Sequence, residues 1–118
     1  MPEITLEKAS GRIAIALKAV AIGDDLLVTV TGGKGHIGGT ALGTMAGGIA
    51  TSSVITTPGH RDDRVAKGAA EKLAKALKRN VAVVAGIHYD RITKEEIAEA
   101  LRLSDALVDQ LISEWPDV

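Results

Sequence analysis

The chain has three histidines, each beside glycine or in a turn. They lie in Gly35-His36-Ile37-Gly38-Gly39, Pro58-Gly59-His60-Arg61-Asp62-Asp63 and Gly86-Ile87-His88-Tyr89-Asp90. Imidazole titrates near neutral pH and binds metals. Glycine lets a backbone approach a ligand, and loop ends are where sites are usually built. His88 and Asp90 fall on one side of an extended segment, so the carboxylate can orient the ring or share a metal with it. With His36 and His60 they form a donor set of the type zinc or manganese takes, although the spacing matches no local metal motif. A divalent metal is thus one candidate cofactor. For each histidine alone, a hydrogen-bonded loop residue is the competing reading.

Thr31 to Thr40 holds five glycines in ten residues. Successive N–H groups in such a loop can cradle an anion, and Lys34 adds charge. The candidate binding residues here are Gly32, Gly33, Lys34, His36, Ile37, Gly38 and Thr40. The stretch is neither a Walker A loop nor a dinucleotide fingerprint. A glycine-rich hairpin with bulges is the alternative. His60 and Arg61 precede a helix and offer N–H groups and a guanidinium to a phosphate. Asp62 and Asp63 oppose a bare anion there and serve equally as helix-start acids. No nucleophile elbow surrounds Ser52 or Ser53, and no paired carboxylates are evident. These residues favour binding over catalysis.

The elements that must hold them change character near residue 58. Before it the pattern is strand-like: Ile4 to Glu7, Arg12 to Ile22, Leu26 to Thr31, Ile37 to Leu42 and Ile49 to Thr57. Gly23-Asp24-Asp25 reads as a hairpin connection. After Pro58-Gly59 the period becomes helical, with Val65, Ala69, Leu73, Ala76 and Leu77 on one face. Val81 to Ile87 is an apolar run that suits a strand buried on both faces. Thr93 and Glu96 form a capping box. The helix they open directs Ile97, Leu101, Val108, Leu111 and Ile112 inward, and Ser104-Asp105 allows either one broken helix or two. The expected fold is α+β: a largely antiparallel, mixed sheet of five to six strands with helices on one face.

The 118 residues fit one domain spanning 1–118, with 46% hydrophobic and 25% charged residues and a net charge of −1. That is the balance of a soluble globular protein and does not suggest a nucleic-acid partner. With no Phe, one Trp and one Tyr, the core must be aliphatic and base stacking has little to use. The absence of cysteine excludes disulfides, thiolate metal sites and cysteine nucleophiles. No leader or membrane segment is evident, so the protein is expected in the cytoplasm. Residues 61–79 carry seven Lys/Arg against three acids, and residues 90–118 three against eight. These read as solvated helix faces, or as a basic helix that favours an anionic partner. Gly35 to Gly59 lacks Lys, Arg, Asp and Glu, so a small sheet there would expose apolar surface; a homo-oligomer is expected.

Taken in order, TGGKGHIGGTALG, PGHRDD and VVAGIHYDRITKEEI resemble the prenylated-flavin chaperone family, the LpdD-like proteins, over about residues 28–112. The resemblance implies a non-catalytic carrier of prenylated FMN or FMN, associated with a flavin prenyltransferase and a UbiD-type decarboxylase. It makes the glycine loop with His36, the His60-Arg61-Asp62 turn and the His88-Asp90 pair candidate ligand residues. Gly38, Gly39, Ala41 and Gly43 would leave room for the flavin ring, and Tyr89 or Trp115 could stack on it. Two other readings stand beside this one: a small metal-dependent enzyme using His36, His60, His88 and Asp90, and a scaffold for a decarboxylase complex.

Overall fold

Two tight turns fold the first third of the chain into a meander. β1 (Glu3–Ser10), β2 (Ile13–Ile22) and β3 (Asp25–Gly33) pair antiparallel through Gly11-Arg12 and Gly23-Asp24. Gly11 and Gly23 both have φ of 59°, the left-handed conformation that two-residue hairpin turns require. Arg12 is therefore a turn residue and not the first residue of β2. This computed structural model describes residues 3–46, 49–56 and 62–115.

The sheet has six strands in the order β1-β2-β3-β6-β4-β5. β4 (Gly39–Ala46) and β5 (Ile49–Thr56) pair antiparallel. α1 (Asp63–Leu77) then carries the chain back to the sheet, and β6 (Val81–His88) inserts between β3 and β4. β6 is parallel to β3 and antiparallel to β4, so the sheet is mixed, as expected. The fourth strand begins at Gly39 and not at Ile37, because Lys34 to Gly38 must cross the end of β6 to reach it. Thr57, at the expected end of the fifth strand, lies outside the described residues.

Both helices cover one face of the sheet. α1 packs on β4, β5 and β6, and α2 (Lys94–Glu114) packs on β1 and β2. The helices meet where Lys72 bridges Asp109 at 2.6 Å and Asp105 at 2.9 Å. Hydrogen bonds from Lys72 to Asp109 and Asp105 raise its pKa above the ordinary lysine value. Beneath them the core is aliphatic, with Ile15, Leu17, Val28, Val30, Val81 and Val83 from the sheet and Leu73, Leu107 and Leu111 from the helices.

The buried helix stripes differ in detail from the expected ones. α1 buries Val65, Ala66, Ala69, Ala70, Leu73 and Ala74, while Ala76 is exposed. In α2 the stripe runs through Ala100, Leu103, Ser104, Leu107, Val108 and Leu111, leaving Ile97 45% exposed. The capping box at Thr93 and Glu96 is present. α2 is continuous because the buried Ser104 hydroxyl donates to the Ala100 carbonyl one turn back, and so does not cap a new helix.

Gly43 and Gly68 test opposite consequences of a missing side chain. A Cβ at Gly43 would lie 2.2 Å from the Ala70 carbonyl oxygen of α1, whereas one at Gly68 would meet nothing within 4 Å. Gly43→Ala should destabilise by about 1–3 kcal/mol through overpacking. Gly68→Ala should stabilise by roughly 0.5–1 kcal/mol through helix propensity. Urea midpoints at constant slope measure both; equal shifts of the same sign would contradict this packing.

Candidate functional site

The end of β6 is enclosed by an arch. β3 leaves the sheet at Gly33, where φ is 63°, and Lys34 to Gly38 crosses above β6 to start β4. The Lys34 N–H donates to the His88 carbonyl at 3.0 Å, and the Gly38 N–H to the Ala85 carbonyl at 2.9 Å. A Cβ at Gly86 would sit 1.6 Å from the His36 carbonyl oxygen, so only glycine fits beneath the arch. This stretch is therefore a crossover and not a hairpin, and it spends two of its N–H groups on β6.

Asp62 locks the arch from the helix side. It stands at the N-cap of α1, yet its side chain makes no cap hydrogen bond. Instead Oδ1 accepts from the Ile87 N–H at 3.1 Å, and Oδ2 lies 3.2 Å from His36 Nε2. β4 pairs with β6 only as far as Gly39 opposite Ala85. The carboxylate thus takes the place of the departed strand at Ile87. His36 Nδ1 faces the Lys34 carbonyl at 3.2 Å, so both ring nitrogens face oxygen acceptors. Asp62 is only 7% exposed, and a buried carboxylate needs such partners.

His88 stands beside His36, with ring centroids 6.4 Å apart and planes near perpendicular at 81°. Its Nε2 lies 3.1 Å from Asp90 Oδ1, so the spacing of two does bring this pair together. Of the other candidates, Ile37 is 67% exposed at the arch and Thr40 pairs with Val84 on β4. Pro58, Gly59, His60 and Arg61 lie outside the described residues. Among the described residues no group of three His, Asp or Glu side chains could hold a metal ion. That removes the support for a metal among His36, His88 and Asp90, since each imidazole is matched to its own carboxylate.

The expected room for a ring at Gly38, Gly39, Ala41 and Gly43 does not exist. A Cβ on Gly38 would lie 1.9 Å from Asp62 Oδ2, and one on Gly39 would lie 2.8 Å from the Asp63 nitrogen. Gly43 is closed by Ala70 of α1, and Ala41 is 1% exposed. These small residues serve chain packing. Trp115 is 7% exposed in the core and unavailable for stacking.

Space opens on the other side of the arch. A cavity of about 640 Å³ lies over the ends of β1, β2 and β3, with Ala9, Ala14, Ala16, Thr31, Gly33 and Gly35 along it. Glu7, Lys8, Arg12 and Tyr89 complete its lining, together with Ile15 and Gly32. Gly32 and Gly33 are the candidate residues that reach it. Tyr89 replaces β3 where that strand turns away: its hydroxyl donates to the Ala14 carbonyl and accepts from the Ala14 N–H, both at 2.8 Å. Arg12 lies 5.6 Å from the centre of the Tyr89 ring. Its guanidinium grips Glu96 at 2.7 and 2.9 Å and the Asp90 carbonyl at 2.9 Å. Residue spacing offered no signal for Arg12 as a wall, because its partners lie far along the chain.

Two outcomes are expected from these contacts. Asp62→Ala strands the part-buried Ile87 N–H and removes the carboxylate facing His36, which should cost about 1–3 kcal/mol. Asp62→Asn keeps an acceptor for Ile87 and should cost less; urea unfolding of both separates the two contributions. Glu96 is held down to about 2, chiefly by its hydrogen bond from Arg12 and then by the Thr93 N–H. Its folded value lies below the ordinary 4.5, so the stability it lends is present above that pH and is lost as pH falls toward 2. Glu96→Gln should flatten that acid limb in urea midpoints taken against pH, and an unchanged limb would contradict the assignment.

The architecture resembles that of a chain in the crystal structure of a chaperone complex for yeast 20S proteasome assembly, with a TM-score of 0.66. That likeness covers 98% of this chain and all of the other at 13% identity, and so concerns the fold alone. Protein LpdD of Lactiplantibacillus plantarum is 34% identical over 116 residues, covering 96% of this chain and 84% of that protein. The profile of the prenylated flavin chaperone LpdD-like domain matches residues 9–115. With the motifs of the arch and of β6 falling inside that span, the chain belongs to the prenylated flavin chaperone family of LpdD-like proteins.

Proposed function

We propose that this protein binds prenylated FMN in the cavity beside the arch, without catalysing a reaction on it. It receives the cofactor from a flavin prenyltransferase and delivers it to a UbiD-type decarboxylase, as a homo-oligomer in the cytoplasm. Family membership supports the flavin. The observation that carries the location is the cavity of about 640 Å³ with small side chains along it, within the roughly 300–1,000 Å³ usual for small-molecule sites. A flat ring needs such a shallow slot, and Tyr89 stands in its wall. Lys8 on the wall and Lys34 beside it form no ion pair among the described residues, which suits a phosphate. Gly32, Gly33, Lys34, His36, His88 and Asp90 are proposed to hold or frame the cofactor and His60 and Arg61 to assist at the phosphate, while Ile37, Gly38 and Thr40 carry the arch and its entry to β4 beside it.

Native mass spectrometry after co-expression with a flavin prenyltransferase tests the reading. A bound mass equal to prenylated FMN is expected, and the loaded protein should activate an apo-decarboxylase while turning over no carboxylic acid itself. FMN should bind at least about a hundredfold more tightly than riboflavin, since two charge-assisted hydrogen bonds to phosphate are each worth roughly 1.5–3 kcal/mol. Decarboxylation by the pure protein, or equal affinity for the two flavins, contradicts it.

A further inference from the structure

Both helices lie on one face of the sheet, and among the described residues nothing covers the opposite face. Strand alternation identifies that face. In β2, Ile13, Ile15, Leu17, Ala19 and Ala21 are buried toward the helices, so Ala14, Ala16, Lys18, Val20 and Ile22 project the other way. Register with β3, β6 and β4 extends the open face through Leu27, Thr29, Ala82, Val84, Thr40 and Leu42. Leu42 is 48% and Ile22 58% exposed.

Three features say what covers it. Between its ends the face carries no Lys, Arg, Asp or Glu on β3, β6 and β4; Asp25, opposite Ile22 at the start of β3, accepts the Asn80 N–H. Glu3, Glu7 and Lys18 stand at the β1–β2 side, where Lys18 already pairs with Glu3 at 3.1 Å. A charged partner has nothing central to recognise. Next, β3 and β6 form a parallel pair, and β6 reads as a strand meant for burial on both faces. Finally, six strands about 4.8 Å apart and about eight residues long at roughly 3.3 Å per residue make a face of about 760 Å². A stable interface needs about 800 Å² per partner. A second sheet of the same twist fits such a surface, as two sheets pack face to face about 10 Å apart.

We propose that a second copy of this chain packs its open sheet face on the first, and that the pair completes the flavin site. The cavity floor of Ala9, Ala14, Ala16 and Thr31 belongs to this same face. In one copy a flat ligand lying there has its outer side in water; the partner's sheet supplies the missing wall. The dimer stands on the sheet geometry alone, whereas its role in binding rests on the flavin reading above.

Sedimentation of the full chain at micromolar concentration tests this, using the wild type, Leu42→Glu, Thr29→Glu and a helix-face control, Lys75→Glu. Neither Leu42 nor Thr29 lines the cavity, and both side chains already meet water in a single copy, so folding survives. The wild type and Lys75→Glu should be dimers. Leu42→Glu and Thr29→Glu should be monomers with native circular dichroism. Titration with FMN should then show at least tenfold weaker binding to the two monomeric variants. A monomeric wild type, or dimers in all four proteins, overturns the proposal. Monomeric variants that bind FMN as the wild type does overturn the shared site. If no form binds FMN or prenylated FMN but charge on the face still splits the dimer, the flavin reading fails and the dimer stands.

Discussion

The Asp62 carboxylate is the contact on which the arch depends. One oxygen stands in for a missing strand at the Ile87 N–H, and the other faces the His36 ring. β6 follows β3, β4, β5 and α1 in the chain, yet it lies between β3 and β4 in the sheet. Its end lies under the loop that joins those two strands. Asp62 sits at the start of the helix that precedes β6, so it joins the crossover, the helix and the last strand at one point. Removing the partners of a buried charge is costly, because the charge is left uncompensated. The His36 ring is held by this contact, and His88 stands edge-on beside it.

The cavity has a related origin. Where β3 curves away into the arch, Ala14 of β2 loses a backbone partner, and the Tyr89 hydroxyl takes over both of its hydrogen bonds. Side chains replace strands on either side of β6: a carboxylate toward β4 and a phenol toward β3. On the phenol side the substitute is thinner than a strand with its own side chains. Together with the alanines and glycines at the strand ends, that leaves a hollow. Arg12 fixes the hollow's far wall by joining the first turn to Asp90 and the start of α2. The space follows from how the chain crosses itself.

Much of the framework was legible from residue type and spacing. The turn at Gly23-Asp24, the capping box at Thr93, the apolar β6 and the α+β layering all rest on local chemistry that acts within a few residues. The arch was not legible, because glycine spacing cannot tell a hairpin from a crossover; that depends on which strand later fills the gap. The two helix stripes were legible in part, with Val65, Ala69, Leu73, Val108 and Leu111 buried as expected, and missed elsewhere for a similar reason. Ala66, Ala70 and Ala100 are buried by their neighbours' packing, while Ile97 is left outside despite its hydrophobicity. Arg12 had no local signal and Asp62 read locally as a helix-start acid, since the partners of both lie far along the sequence.

Glycine-rich loops invite a ligand reading, and distances decide between ligand and packing. At Gly38, Gly39, Gly43 and Gly86 the space a side chain would fill is held by other parts of the same chain, several of them backbone. Backbone cannot swing aside as a flexible side chain does, so these four glycines are committed to the crossover and to α1. Gly35 differs: a Cβ there would meet only Thr31, at 3.6 Å or more. Gly35 also borders the cavity. One glycine stretch therefore does two jobs. Its latter part brings the arch and β4 against their neighbours, and its first part leaves an open edge. The open space accordingly lies on the β1–β3 side of the arch, while His36 and His88 with their carboxylates lie toward β6 and α1.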